Sequence, residues 1–443
     1  MKLVTKLMIR NVNIVTMNKD KEIIEDGFVI IERDSITYIG SSNETNEHNV
    51  SNDYNIIDGK GGILMPGMIN THTHASMIAF RSLADDVQDR LTKYIFPLEN
   101  IMVDEKLVYS GARYAICEML LGGVTTFCNS YYFEDEVAKA AKEMSIRAVL
   151  GETVVNFVAP DAKEPYEGLK YAERFIEKWK GDDLITPAIA PHAPYTNDSN
   201  KLIEAYSLAR KHDVPIIMHV AEMDYEQKKY AEEYNMTPVQ YLDSLGILDE
   251  NFIGAHLINV SDEDLDILEN KGVGISHNVG SNSKGAKGVA PVVKMFKRGM
   301  KLGLGTDGPM SGNTLDIITQ MSLVGKIHKL YNMDRTIFPA IEIVEMATIG
   351  GARALNIDNV TGSIEVGKKA DMVIIETESV NMCPIYDYYS ALVYSANPSN
   401  VELVIVNGEV LVKDKKLIKN DLMEIKNELL QMKDKILEVS KRL

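Results

Sequence analysis

Residues 67–74 read GMINTHTH: a short apolar run that ends in two histidines one residue apart. Seven more runs of the same texture follow: VTTFCNS (124–130), IRAVLGET (146–153), ITPAIAPHA (185–193), VPIIMHVAE (214–222), FIGAHLINV (252–260), GVGISHNV (272–279) and KLGLGTDG (301–308). Parallel strands covered by helices on the outside read as nearly unbroken apolar runs. The segments between them, such as 134–144 and 198–212, have helical length and period. Eight strands alternating with helices predict an α/β fold, a (β/α)8 TIM-like barrel.

Strand texture of another kind flanks these runs. KLMIRNVNIV (6–15) alternates, and GFVIIERDSITYIG (27–40) is rich in β-branched residues. After Gly350-Gly351 the strands return in KKADMVIIE (368–376) and VELVIVNGEVLVKDKKLI (401–418), the latter broken by an Asn-Gly hairpin turn. Both chain ends are therefore expected to build one small β-domain beside the barrel. The expected boundaries are 1–65 and 366–420 for this β-domain, 66–365 for the barrel and 421–443 for a C-terminal helix. In that helix Leu422, Ile425, Leu429, Met432, Ile436, Val439 and Leu443 form a 3-4 stripe. The plain reading is a tail packed on its own chain; subunit contact is the alternative.

The chain has 443 residues, 47 Lys plus Arg against 64 Asp plus Glu, and a net charge of −17. That balance disfavours nucleic acid and anionic membranes as partners. Cys117, Cys128 and Cys383 form no CxxC pair. With no leader-like N-terminus and no long uncharged apolar stretch, the expectation is a soluble cytoplasmic protein acting on a small molecule.

Of nine histidines, His48, His212 and His328 read as solvated surface residues. The other six fall at or near strand C-termini, where a barrel gathers side chains from distant stretches. His72 and His74, two apart on a strand, face one side. His219 is read as ending the fifth strand and Asp307 as ending the eighth. Singly, His219 reads equally as a hydrogen-bonded core histidine and Asp307 as a helix N-cap. Together, three imidazoles and one carboxylate suit one divalent metal ion, Zn²⁺ first and Fe²⁺ as the alternative, with a position left for water. Glu222, three residues past His219, would serve as proton shuttle, and His256 would steer the water and hold negative charge on oxygen. The fourth run holds His192 but no lysine to bridge a second metal, so one ion is expected.

PGMINTHTHASM (66–77), HVAE (219–222), AHLINVSDED (255–264), SHNVGSNSK (276–284), LGTDGPMSGNTLD (304–316) and the MATIGGARAL and GSIEVGKKADMVII segments (346–375) together resemble the amidohydrolase superfamily. The resemblance is to its mononuclear ATZ/TRZ-type deaminases, and most of all to the methylthioadenosine/S-adenosylhomocysteine deaminase group. It implies the same barrel with a β-sandwich, a homo-oligomer (dimer or tetramer), and metal ligands at His72, His74, His219 and Asp307. Asp307 would also be general base and contact substrate. It implies substrate contact and proton transfer by Glu222, a grip on ribose hydroxyls by Glu99, substrate contact by His192, and the strand-six histidine role for His256. The implied reaction is hydrolytic deamination of a 5′-substituted adenosine (methylthioadenosine, S-adenosylhomocysteine or 5′-deoxyadenosine). A free heterocycle (guanine, a pterin, cytosine or an s-triazine) is the alternative substrate, and an inactive scaffold the alternative of another class.

Two departures stand out. The family's seventh-strand motif reads His-Asn-Pro-x-Ser-Asn-x-Lys-Leu; here Val279 replaces the proline and Gly285 the leucine. The arginines that hold the carboxylate of S-adenosylhomocysteine align near Glu152 and Gly168, with Lys170 and Arg174 out of register. An acidic group there would repel that carboxylate, so uncharged 5′-substituents are expected to be preferred.

Overall fold

The computed structural model describes residues 6–42 and 54–443; His48 lies outside them. The N-terminal strands are β1 (Lys6–Val15), β2 (Ile23–Glu32), β3 (Ser35–Ser41) and β4 (Asn55–Pro66). The barrel strands are β5 (Met68–Thr73), β6 (Val124–Tyr131), β7 (Arg147–Val154), β8 (Ile185–Pro191), β9 (Ile216–Val220), β10 (Phe252–His256), β11 (Gly274–His277) and β12 (Leu302–Leu304). The chain closes with β13 (Met372–Ile375), β14 (Val401–Val406), β15 (Glu409–Lys413) and β16 (Lys416–Leu417).

Strands β5 to β12 lie in sequence order, all parallel. The ring closes just past β12, where His72 O accepts from Thr306 N at 3.1 Å and Asp307 N at 3.0 Å. The fold is a (β/α)8 barrel. The last two strands are shorter than the apolar runs that announced them, because the tails of those runs leave strand geometry. Asp307 takes φ 59°.

The remaining strands form one continuous sheet in the order β16-β15-β14-β13-β4-β1-β2-β3, built from both chain ends. Its C-terminal strands read as solid apolar runs because both faces are buried, one by the sheet's own cluster and one by the barrel. Met372, Ile374, Leu403 and Ile405 join Leu7, Ile9 and Ile14 in the sheet's cluster. Their neighbours Val373, Ile375, Val404 and Val406 pack into the barrel's cluster, as a period of two requires. The expected Asn-Gly hairpin joins β14 to β15, with Asn407 at φ 49° and Gly408 at φ 77°. Gly67 carries the chain from sheet to barrel, and a Cβ there would lie 2.1 Å from Thr125.

A buried ion pair ties the two parts at the N-terminal end of β7. Arg147 Nε and Nη2 donate to Asp371 at 2.9 and 3.3 Å, and Nη1 donates to Asp183 O at 2.9 Å. Asn407 N completes it, donating to Asp371 Oδ1 at 2.6 Å.

Two expectations change. The tail is two helices, Leu422–Leu430 and Lys433–Ser440, rather than one. The break lets Ile425 and Ile436 both bury against the same chain, while Leu422, Leu437 and Leu443 stay exposed. His328 is buried, not solvated. It lies on the inner stripe of helix Ile317–Tyr331 with Met321, Val324 and Gly325, a spacing of 3-1-3 that the sequence already shows. Among the described residues, no helix is long and apolar enough to cross a membrane.

Candidate metal and active site

At the C-terminal mouth of the barrel, a cavity of about 590 Å³ is lined by His74, Glu99, Tyr131, His192, His219, Glu222, Lys287 and Asp307, among others. His72 and His256 are fully buried at its floor. The structure thus gathers every site residue named from the sequence, from stretches as far apart as residues 72 and 307.

The strand ends aim these side chains. His72 and His74 project from β5, and Thr73 between them turns to the neighbouring strand, donating to Asp307 O at 3.0 Å. After β9, Ala221 takes φ 52°, which turns Glu222 back toward the mouth. Glu222 N donates to Glu226 Oε2 at 3.0 Å and Glu222 O accepts from Asn259 Nδ2 at 3.2 Å, so the turn is held from both sides. His256 at φ 74° and Asp307 at φ 59° are also left-handed. Such strained backbone in non-glycine residues gathers at functional sites, where surrounding structure holds it.

Hydrogen bonds set the tautomers. His74 Nδ1 lies 2.5 Å from Ser130 O, and His219 Nδ1 lies 2.7 Å from His192 O. Carbonyl oxygens only accept, so both Nδ1 atoms carry the hydrogen. In neutral rings both Nε2 atoms are then bare lone pairs, yet they sit 3.1 Å apart. Burial holds the His74 pKa at about 4, so that ring is neutral. Burial, with His219 and His74 beside it, holds His72 well below its ordinary value. Neither ring nitrogen of His72 has a hydrogen-bond partner among the described residues. An unpaired buried polar atom costs about 1–3 kcal/mol.

The carboxylates face the same space. Asp307 Oδ1 lies 3.4 Å from His74 Nε2 and 4.0 Å from His72 Nε2. His72, His74 and Asp307 form one group whose ligand atoms lie within 4.8 Å of one another, and His72, His219 and His256 form another. Bare nitrogens clustered beside a carboxylate, with the His74 and His219 rings each oriented by a carbonyl behind it, fit a divalent cation.

Three partners were not legible from the sequence. Ser281 Oγ donates to Asp307 Oδ2 at 2.6 Å. Asn282 Oδ1 lies 2.8 Å from His256 Nδ1, which places the hydrogen there and leaves Nε2 facing Glu222 Oε1 at 3.6 Å. Lys287 Nζ donates to Glu222 Oε1 at 2.5 Å. Burial would raise the Glu222 pKa, but His256 and Lys287 outweigh it and bring it to about 2.

On the opposite wall Tyr131 OH donates to Glu99 Oε1 at 2.7 Å, and burial pushes Glu99 up to about 7. His192 Nδ1 lies 3.1 Å from Thr196 Oγ1. Glu152 does not line the cavity, contrary to expectation. It is fully buried behind it, where Oε2 accepts from Glu134 N at 3.0 Å, and burial raises its pKa well above the ordinary value. The residue of β7 that lines this wall is Thr153.

The chain is similar to known proteins over most of its length. The sequence model of the Amidohydrolase family matches residues 63–411. The chain is 41% identical to 5-methylthioadenosine/S-adenosylhomocysteine deaminase 1 of Syntrophus aciditrophicus, over 88% of each protein. It is 38% identical to the 5′-deoxyadenosine deaminase of Methanosarcina mazei, over 92% of this chain and 93% of that one. Among solved structures, it is similar to a zinc-bound adenosine deaminase from Xanthomonas campestris, with TM-score 0.95 and 29% identity, over 98% of this chain and 99% of the other.

Proposed function

The chain belongs to the amidohydrolase family, and from that membership we propose that it hydrolytically deaminates 5′-substituted adenosines, releasing the inosine analogue and ammonia. It is a hydrolase of C–N bonds in cyclic amidines. The observation that carries the reading is the bare His74 nitrogen, 3.1 Å from that of His219 and 3.4 Å from Asp307, beside the unpartnered His72.

We infer that His72, His74, His219 and Asp307 hold one divalent ion, zinc by the nature of the donors. When bound, it supplies Lewis acidity that makes water a nucleophile near neutral pH. Water adds to the amine-bearing ring carbon; Glu222, held ionised beside His256 and Lys287, takes one of its protons and hands it to the adjacent ring nitrogen. Asp307 takes the water's second proton and passes it to the amine, which leaves as ammonia as the carbonyl forms. The hydrogen on His256 Nδ1 leaves Nε2 to accept from the water, so in the neutral ring His256 steers water rather than neutralising charge on oxygen. Glu99 receives the ribose hydroxyls, and His192 contacts the substrate on the same side. Positioned acid–base groups of this kind contribute about 10²–10⁴-fold.

The residue of β7 that lines the cavity, Thr153, carries no charge to pair with a carboxylate, which supports a preference for uncharged 5′-substituents. The repulsion once expected from Glu152 plays no part. The test is metal-replete and chelator-stripped protein against adenosine, 5′-deoxyadenosine, methylthioadenosine, S-adenosylhomocysteine, guanine and cytosine, following ultraviolet absorbance and ammonia. The expected outcome is highest kcat/KM on an uncharged 5′-substituted adenosine, lost on stripping with about one metal per chain removed. Turnover confined to a free base, or undiminished after stripping, would sink the proposal.

A further inference from the structure

Lys287 lies three residues beyond the SHNVGSNSK segment and reaches back into the site. Its Nζ donates to Glu222 Oε1 at 2.5 Å and to Ser281 Oγ at 3.1 Å, and lies 3.9 Å from Asp307 Oδ2. Its side chain is only 14% exposed. A lysine stem has many rotamers, and fixing one carries an entropic cost. The packing that offsets this cost is visible. A Cβ on Gly285 would lie 2.8 Å from Lys287 Cε and 3.1 Å from its Cγ. Gly285 stands where the resembling family carries leucine, so the missing side chain is the room that the lysine stem fills. The departure in the seventh-strand motif and the buried ammonium are one feature.

The feature acts on one oxygen. Glu222 Oε1 faces Lys287 and, at 3.6 Å, His256 Nε2. Glu222 Oε2 has no hydrogen-bond partner among the described residues, and Glu222 lines the cavity. Resting on the deaminase reading above, we propose that Lys287 is a positioning residue that holds Glu222 by Oε1, so that Oε2 is presented to the substrate's ring nitrogen, and that Gly285 exists in this chain to admit it.

The experiment compares K287M, G285L, the milder G285A and the double variant K287M/G285L with wild type, on the nucleoside that wild type turns over best. Melting temperature and bound metal are measured beside kcat and KM. A misplacement of about 1 Å costs up to about 10²-fold. K287M is expected to lose about 10- to 100-fold in kcat with KM within about twofold and metal content unchanged. G285L, or G285A should the larger side chain impair folding, is expected to fall in the same direction, and the double variant no further than K287M. An unchanged kcat in K287M, a loss carried by KM alone, or additive losses in the double variant overturn the proposal. Wild type inactive on every nucleoside sinks the deaminase reading instead. Crystal structures of wild type and K287M then decide this one: a Glu222 carboxylate that swings away without the ammonium supports it, and one that stays overturns it.

Discussion

Two imidazole pairs in this barrel have nearly the same geometry and opposite chemistry. His74 and His219 meet through Nε2 at 3.1 Å at the mouth; His277 and His328 meet through Nε2 at 3.0 Å between the end of β11 and the helix Ile317–Tyr331. In the first pair both Nδ1 atoms are committed to carbonyl oxygens, so neither Nε2 has a hydrogen to offer. In the second, His277 Nδ1 has no partner among the described residues, so a ring is free to carry its hydrogen on Nε2 and donate it. One pair is an ordinary buried hydrogen bond; the other is two lone pairs that call for a cation. What surrounds the far nitrogen decides which, not the contact itself.

The strongest way to break this contrast is to remove a mouth imidazole. H219A is expected to lose the bound metal, read by elemental analysis, and to lose more turnover than E222Q, itself expected to fall about 10²–10⁴-fold in kcat. Retained metal in H219A would erase the distinction between the pairs.

Next in size is the charge pair at the other end of the barrel. There Arg147 and Asp371 are buried with their partners made, whereas the mouth leaves polar atoms open. Removing one member of such a pair costs about 3–5 kcal/mol. R147A is expected to lose that much in urea unfolding while keeping kcat at permissive temperature. A fall in kcat with unchanged stability would mean that this end is not purely structural.

A smaller effect comes from Glu99. The unfolded carboxyl releases its proton near 4.5 and the folded one near 7, because burial disfavours its charge. The folded state therefore binds more protons between those values, and stability falls as pH rises through that window. E99Q is expected to flatten this slope. In wild type, KM for a nucleoside is expected to drop as pH rises through about 7 and the carboxylate forms; for a free base it stays flat.

The smallest effect belongs to the second imidazole pair. Burial lowers His328 to about 4 from 6.5. On acidification the unfolded chain takes up a proton there first, so stability is lost as pH falls from about 6.5 to about 4. H328Q is expected to shrink that loss and to leave metal stoichiometry untouched. A change in stoichiometry would show that the two pairs are not independent.

The barrel and the grouping of the candidate ligands were legible because each leaves a local mark. Eight apolar runs report strands buried on both faces, and His-x-His reports two side chains on one face of a strand. The helices Glu134–Glu143 and Ser199–His212 stand where segment length and period put them. Lys287 left no such mark. A lysine between glycines reads as a surface loop until Glu222, 65 residues away, is brought beside it. Glu152 misled in the opposite sense: its place at the end of β7 suggested a pocket wall, yet its side chain turns to the backbone of Glu134. His328 was missed for a different reason, since charged neighbours masked a stripe that its own spacing shows.

Sequence alone determined the order and number of the strands and which residue types could meet at the barrel mouth, because strand burial and side-chain alternation are periodic along the chain. Only the tertiary structure decided which nitrogen of each histidine is bare, which oxygen of Glu222 is held, and which acidic side chain turns away. Those facts depend on partners 18 to 65 residues distant, and no local pattern encodes the direction in which a side chain finds its hydrogen bond.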